Sequence, residues 1–491
     1  MTGNSGNAFR YASGAFTAGG GDSANLYLFV RNEGPVKQRQ YPYFAESTVT
    51  WATGADFEIG GFYDPQPVLE AYSTVTYSAE PESVAKVEDG KIKIMGAGTA
   101  TITATAAKSD EYFTASASYT LRIRKTVDGW VDLGSFNLEN EALEKYLNEA
   151  EQSYTNTNDD TYTVMDKYSG SNYNYIDRKD CPAPVHITWT NEASINTVIS
   201  VFKNESLDNP IWTQNASERA TTADVYNLIP GCTYYYTVSE NNEIWEKGYF
   251  CTTGRRRMLK VSDTEAKGRA NNCRDLGGLE VTLANGEKKT IQYGLLFRGT
   301  CMDATTDIEK EFIVGFMNVG LDVDLRGDGT SNTPGGNNGN SNCYRAFSDE
   351  YNVAYNSQQF ASGRTIEDLT TSEKVYNVLK DIINTLKSGK SVYFHCHIGA
   401  DRTGYMAMLI EGLLGVSEKD CSIDYELTSF SDAAGQRFRN GEPVWYTFRD
   451  GIAYLRALPG DTFQNKIENY LVNTVGISQE DINDFKGLLL K

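Results

Sequence analysis

The segment Val392-Tyr-Phe-His-Cys-His-Ile-Gly-Ala-Asp-Arg-Thr-Gly404 gathers the residue types that a phosphate-handling site needs. Cys396 and Arg402 stand in a Cys-x5-Arg spacing, with Gly399 between them and Thr403 directly after. The thiolate is the nucleophilic form of cysteine, and positive charge beside it lowers the pKa enough for it to exist near neutral pH. Arg402 can grip two phosphate oxygens with a forked geometry that lysine lacks. Gly399 permits a tight loop. The backbone N–H groups of His397, Ile398, Gly399, Ala400 and Asp401 would then curl round an anion, helped by the dipole of the helix that follows. The Thr403 hydroxyl is placed to bond the sulfur and ease breakdown of a thiophosphate. Together these groups predict attack of a cysteine thiolate on phosphorus.

Spacing alone does not carry this reading. Cys251-Thr-Thr-Gly-Arg-Arg-Arg257 repeats both the Cys-x5-Arg spacing and the glycine. It runs on into the strand-like Met258-Leu-Lys-Val261, however, so no helix N-terminus is predicted there to receive an anion, and it reads as a basic linker. The second copy is entered by the apolar strand Ser391-Val-Tyr-Phe394 and left by the apolar-faced helix Gly404 to Leu414. Metal readings fail on ligand sets. His395 and His397 would share one face of a strand with Cys396 opposed to them, and a fourth ligand is missing. Asp322-x-Asp324 followed by Gly327 lacks the glutamate of a calcium loop. No metal or cofactor is expected.

The elements that must position this loop alternate. After about residue 256 the strand Gly320 to Leu325, the helix Ser372 to Leu386, the strand before Cys396 and the helix after it predict an α/β domain on a largely parallel sheet flanked by helices. The Gly/Asn-rich stretch 327–342 follows a strand end, where ligands bind in open α/β sheets. Upstream the period changes to two. Ser73 to Ser78, Lys91 to Ile94, Thr99 to Ala106 and Ser116 to Ile123 alternate between turn signals and predict a β-sandwich over 26–125. Residues 1–25 read as a flexible leader. Residues 126–183 read as a connector with one short helix from Glu139 to Gln152. A second β-sandwich is predicted over 184–255 from His186 to Trp189, Thr197 to Phe202 and Cys232 to Val238. His186 is expected as a partly exposed strand residue, and Cys232 and Cys251 as a pair that could form a disulfide after export.

Three resemblances attach to these segments. "SVAKVEDGKIKIMGAGTATITATAA" resembles the strand–turn–strand core of bacterial Ig-like (group 2) domains, and "VYNLIPGCTYYYTV" resembles the late-strand corner of a fibronectin type III domain. The Cys396 loop resembles the His-Cys-x5-Arg-Ser/Thr-Gly signature of the cysteine-dependent protein tyrosine phosphatase superfamily, and more narrowly the bacterial and fungal tyrosine/serine phosphatase family. Asn272-Cys-Arg-Asp-Leu-Gly-Gly278, Leu296-Phe-Arg-Gly-Thr300 and the strand end Asp324-Leu-Arg326 resemble further elements of that family in the expected order. The resemblance implies Cys396 as nucleophile, Arg402 as phosphate clamp and His395 as a buried orienting residue. For the general acid it points to Asp401, with Asp324 as the main alternative and Asp368 third. Two positions depart from the family: Ala400 replaces the loop lysine, which weakens any preference for highly anionic phosphoinositides, and Ile398 replaces a small residue.

Composition bounds the rest. The 491 residues suggest about three domains at roughly 150 residues each. A net charge of −20 argues against a nucleic-acid partner, and no apolar run is long enough to span a membrane. The start lacks the charged and apolar regions of a signal peptide. The β modules favour an extracytoplasmic location in a bacterium, periplasmic or at the cell surface, with the export signal expected outside these residues. Expected partners are a phosphorylated protein or small phosphomonoester, with cell-surface or polysaccharide contact through the β modules. The leading expectation is a phosphatase of phosphotyrosine or mixed phosphoproteins. Phosphoinositide or inositol-polyphosphate hydrolysis is the nearest enzymatic alternative. A surface binding protein with a non-catalytic phosphatase-like domain is the alternative from another class. A rhodanese-like sulfurtransferase shares a cysteine loop, but the Arg402-Thr403-Gly404 ending favours phosphate.

Overall fold

The computed structural model describes residues 10–12, 15–17, 37–53, 57–125, 127–153, 182–264, 268–283, 285–326, 351–360, 372–431 and 448–491. Asp368, the stretch 327–342 and residues 154–181 of the expected connector lie outside them. The chain divides into two compact units, 1–125 and 126–491. The second β module and the α/β segment therefore share one unit, where the sequence suggested separate domains.

Within the leader, Arg10–Ala12 pairs with Ala15–Thr17 as a short antiparallel hairpin. The first unit is rich in strands: β1 (Thr48–Thr53), β2 (Val75–Glu80), β3 (Ala85–Glu88), β4 (Lys91–Ile94), β5 (Gly98–Ala106) and β6 (Ala115–Lys125). One sheet has the order β1-β6-β5-β2, with β1 and β6 parallel and the other pairs antiparallel. Strands β4 and β3 form a second sheet with the short strand Phe62–Tyr63. Alternation decides which side chains go inside: Ala100, Ile102, Tyr119, Leu121 and Ile123 join Ile92 and Ile94 in one buried cluster. The intervening threonines and serines face outward, and Thr103 and Ser118 meet there at 2.8 Å.

The second unit opens with β7 (Val131–Asn137), not with an irregular connector. This strand pairs in parallel with the last long strand of the module, so the module begins earlier in the chain than its turn signals suggest. Helix α1 (Glu141–Ser153) follows. Then come β8 (Val185–Thr188), β9 (Thr197–Phe202), β10 (Trp212–Asn215), β11 (Thr222–Val225), β12 (Thr233–Glu240) and β13 (Glu243–Thr253). They form a five-stranded sheet, β7-β13-β12-β9-β10, and a two-stranded sheet, β8-β11. His186 is exposed on β8, and its Nδ1 lies 2.6 Å from Asp224. The expected Cys232–Cys251 pairing is corrected. Cys251 registers with Thr233, so Cys232, one residue earlier, projects to the other face, and both thiols are free.

The site is carried by a six-stranded sheet. Its strands are β14 (Arg257–Leu259), β15 (Cys273–Asp275), β16 (Leu296–Gly299), β17 (Val319–Asp324), β18 (Ala354–Ser357) and β19 (Ser391–His395). The order is β14-β15-β16-β19-β17-β18; the last four are mutually parallel, and β14 and β15 are antiparallel additions. Helix α2 (Asp307–Glu311) starts with a Thr306–Glu309 capping box, and a wide turn over Phe312–Phe316 follows it. Helix α3 (Ser372–Lys387) buries Val375, Val378, Leu379, Ile382, Ile383 and Leu386, the spacing of one helical face. Helix α4 (Asp401–Leu414) is buried nearly all round, as expected of a helix through a core. It packs against α5 (Glu418–Glu426), α6 (Phe448–Ala457) and α7 (Phe463–Tyr470), while α8 (Gln479–Leu489) packs against α3. Among the described residues no helix is long and apolar enough to cross a membrane.

Candidate active site

Strand β19 is buried along its whole length between parallel neighbours, so its C-terminal end is fixed by ladders on both sides. The chain leaves it through Cys396 and re-enters regular structure at Asp401. The turn needs glycine at 399. Its φ is +67°, and a Cβ there would lie 2.2 Å from the Gly299 carbonyl oxygen.

Carbonyl partners decide which way the loop faces. The Cys396 oxygen accepts from His395 Nδ1 at 2.9 Å, and the His397 oxygen from the Cys301 amide at 3.2 Å. Asn272 Nδ2 donates to the oxygens of Ile398 (3.2 Å) and Gly399 (3.1 Å). Arg298 Nη2 donates to those of Gly399 (3.0 Å) and Ala400 (3.4 Å). In a trans peptide the N–H points opposite to the C=O. With all five oxygens held from outside, the amides of 397–401 are turned away from those partners, toward the hollow of the loop. A helix N-terminus lies at its end, so the arrangement suits an anion.

A buried polar bracket supports the loop from behind. Arg274 Nη1 donates to Asn272 Oδ1 at 2.6 Å and orients that amide. Asp424, on α5, takes Arg274 Nε at 2.6 Å on one oxygen and Arg298 Nη1 on the other. Arg298 is 0% exposed and Asp424 4%, so each needs the other to be tolerated there. Arg274 and Arg298 belong to the Asn272–Gly278 and Leu296–Thr300 motifs. A lone arginine inside Leu296-Phe-Arg-Gly299 was a readable sign of a buried partner, but nothing in the sequence of α5 marks Asp424 as that partner.

Cys396 is buried, which by itself would raise its thiol, yet the Arg402 charge and the Thr403 hydroxyl and amide bring it below the ordinary cysteine value. The Thr403 hydroxyl is fully buried and, among the described residues, makes no other hydrogen bond. Arg402 is anchored by a 3.4 Å contact from Nη1 to the Leu325 oxygen, at the end of β17. His395 Nε2 lies 2.9 Å from Asp322 Oδ1, both side chains fully buried. Burial would lower the imidazole, but the charges of Asp322 and Asp324 outweigh it and push it up to about 9. Burial likewise lifts Asp322, to about 6, against the pull of His395. His397 turns elsewhere, with Nδ1 3.8 Å from Cys301 Sγ, so the two imidazoles do not converge.

The candidate acids separate. Asp324 is 0% exposed and bound to Arg326 through Nε at 2.9 Å and Nη2 at 2.8 Å, with the Tyr355 hydroxyl at 3.2 Å. Arg326 also holds Asp303, at 2.7 and 2.9 Å. A carboxylate so engaged is held as a structural ion-pair partner. Asp401 sits in the first turn of α4, accepting from the Tyr425 hydroxyl at 3.1 Å.

Residues 267–491 match the model of the tyrosine phosphatase family, which makes this part of the chain a phosphatase-type domain. No curated protein matches the chain. Among solved structures, the core catalytic domain of the PP-IP phosphatase SIW14 from S. cerevisiae, in complex with citrate, is similar at 15% identity. That alignment covers 28% of this chain and 73% of that one, with a TM-score of 0.21. TpbA from P. aeruginosa aligns at 16% identity over 39% of this chain and 97% of its own, with a TM-score of 0.25. A Cys-to-Ser form of TpbA in complex with phosphotyrosine aligns at 13% identity over 40% and 97%, with a TM-score of 0.24. All three scores are low, and the assignment rests on the family match.

Proposed function

We propose that this protein is a phosphomonoester hydrolase working through a cysteinyl-phosphate intermediate, with phosphotyrosine or mixed phosphoprotein substrates. The observation that carries the reading is the loop itself, whose amides face one hollow beside a thiol held below its ordinary pKa. The Cys396 thiolate attacks phosphorus, while the amides of 397–401 and the Arg402 fork hold the three non-bridging oxygens as charge shifts onto them. The bond to the ester oxygen breaks, and Asp401 gives that oxygen its proton. Water then attacks phosphorus as the Asp401 carboxylate takes one of its protons, the S–P bond breaks to return Cys396 as thiolate, and phosphate is released. Thr403 bonds the sulfur as it leaves. Asp401 is favoured over Asp324 because Arg326 occupies the latter. Ala400, in place of a lysine, favours singly phosphorylated side chains over more highly charged inositol phosphates.

Within the same reading, the modules over 26–125 and 184–255 are Ig-like and fibronectin-like modules of an extracytoplasmic bacterial protein. The Tyr234 hydroxyl accepts from the Ile229 amide at 2.9 Å, the backbone-tying tyrosine of such corners. The experiment is phosphate release from p-nitrophenyl phosphate and from phosphotyrosine peptides. Wild type should turn both over, and Cys396→Ser should lose at least about 1,000-fold. Asp401→Asn should slow alkyl phosphates much more than p-nitrophenyl phosphate, whose leaving group needs no proton. An inactive wild type at every pH from about 4.5 to 8 would overturn the assignment.

A further inference from the structure

The second unit holds a cleft of about 750 Å³ between the β module and the phosphatase segment. One side is formed by β10 and β11, the other by the strip Lys260–Asp263 and the aromatic pair Phe312 and Phe316. Strand β10 ends the order of the five-stranded sheet, and β11 has β8 as its one strand neighbour. Among the described residues, both therefore present an outer edge with no strand beside it. Half-exposed Trp212 stands on the wall of the same cleft, and Phe316 opposite is 37% exposed.

Sheet register ties the cleft to the loop. Leu259 pairs with Cys273, the antiparallel register of β15 and β16 carries Cys273 onto Gly299, and Gly299 pairs with His395. Strands β14 and β19 run the same way, so Lys260 and Cys396 leave the sheet at the same edge, three strand spacings or about 14 Å apart. The other side of the strip 260–263 borders a hollow of about 230 Å³ that also touches Asn272, the residue holding the carbonyls of Ile398 and Gly399.

We infer that the cleft is a substrate-docking subsite that takes an extended polypeptide segment flanking the phosphorylated residue. An unpaired strand edge recognises an extended chain through its main-chain N–H and C=O groups, and aromatic walls take alternate side chains. Spanning about 14 Å takes roughly four or five extended residues. Among the described residues the cleft's charged groups are Asp224, Asp263 and Lys260; Lys260 Nζ is paired with Asp263 at 3.1 Å and lies over the Tyr226 ring, and Asp224 meets the His186 imidazole at 2.6 Å on one oxygen. The excess of acid over base suits a segment carrying an aromatic and a basic side chain. This inference rests on the phosphatase reading and gives the β module a part in choosing the substrate.

The test uses the full chain with three probes: p-nitrophenyl phosphate, a three-residue phosphotyrosine peptide, and a fifteen-residue phosphotyrosine peptide with Phe and Lys five residues to either side. Wild type should show a KM for the long peptide about tenfold below that for the short one, the worth of one good anchor. Trp212→Ala should erase that difference and leave kcat and p-nitrophenyl phosphate turnover unchanged. Asp224→Lys, an exposed surface change, should raise the long-peptide KM in the same way. Fluorescence-anisotropy binding of the long peptide to Cys396→Ser, with and without Trp212→Ala, reads docking without turnover. Equal KM for long and short peptides in wild type, or an advantage that survives both cleft changes, would overturn the docking site while leaving the phosphatase reading intact. Binding of a neutral oligosaccharide that is lost with Trp212→Ala, with no peptide effect, would overturn it in favour of a sugar site.

Discussion

At the residue scale the loop depends on positions where a single atom decides. Gly399→Ala adds a methyl group 2.2 Å from the Gly299 oxygen at a φ of +67°, so the loop must open or β16 must move. Activity should fall by about 100-fold or more, from lost amide convergence at a site where positioning is most of the catalysis. Comparing kcat for p-nitrophenyl phosphate with a melting curve separates this from unfolding. The His395–Asp322 pair makes a second expectation. His395 is raised to about 9, so its charged form supports the fold fully below its unfolded value near 6.5, and that support is lost as pH rises through 9. Asp322 is raised to about 6, so its contribution also declines with rising pH, between its unfolded value near 4 and about 6. The melting temperature should drop between pH 6.5 and 9, by the equivalent of on the order of 3 kcal/mol. Asp322→Asn should flatten that slope, and thermal melts across the pH series check it.

At the element scale the loop is positioned by α5. Its Asp424 holds Arg298, which reaches the loop, and Arg274, which orients Asn272 against it; their charges, together with the hydrogen bond from Arg274, overcome the burial that would raise its carboxyl. Asp424→Asn should destabilise the protein by about 3–5 kcal/mol, because it leaves two buried guanidinium groups short of a counter-charge. Well below the new melting temperature kcat should still be down by roughly 10-fold or more, since the Gly399 and Ala400 carbonyls lose a fixed donor. Helix α1 bears on the same element. Leu143, Tyr146, Leu147 and Ala150 pack with Met258, Ile423, Leu427 and Phe430, and the Tyr146 hydroxyl donates to Glu426 at 2.8 Å. The helical period of α1 was legible in the sequence, but its destination on α5 was not, because amphipathic spacing shows that a face must be covered without showing by what.

At the scale of the whole molecule, the linker Arg255-Arg256-Arg257 joins the β module to the phosphatase segment. Arg255 pairs with Glu139, Arg256 with Asp420 and Arg257 with Asp275, at 3.1, 3.0 and 2.7 Å. The Cys251 copy of the Cys-x5-Arg spacing therefore ends in three ion pairs, of which Arg257–Asp275 is buried on both sides, and these explain its basic run. A chain beginning at residue 126 should keep its melting temperature and aryl phosphatase activity within about twofold, because 1–125 forms its own core and own compact unit. A chain beginning at 258 should lose several kcal/mol or fail to fold, since it uncovers the apolar face under α1 and strands the partners of Arg256 and Arg257. Expression yield, thermal melts and p-nitrophenyl phosphate turnover of the two truncated chains check this. The charge of −20 divides unevenly as well: residues 1–255 hold 33 acidic and 19 basic residues, and 256–491 hold 32 and 26. The phosphatase segment is thus the part less disposed to repel an anionic substrate.

The sequence by itself determined which residue types stand together in the loop. Cys396, Gly399, Arg402 and Thr403 lie within eight residues, and their spacing is read by the backbone that joins them. It also determined the strand and helix periods, because alternation and the 3.6-residue repeat are local properties of the chain. Only the tertiary structure decided what lies behind the loop. Asn272, Arg274, Arg298 and Asp424 meet there across as many as 152 positions of sequence, brought together by strand register and by the need of each buried charge for its partner. It also decided what Asp324 is bound to, since Asp324 and Arg326 are neighbours in sequence whose pairing becomes binding only once both are buried. The strand from Val131 to Asn137 was hidden for a related reason: its partner is 117 residues away, and a ladder is visible only when both of its strands are in place.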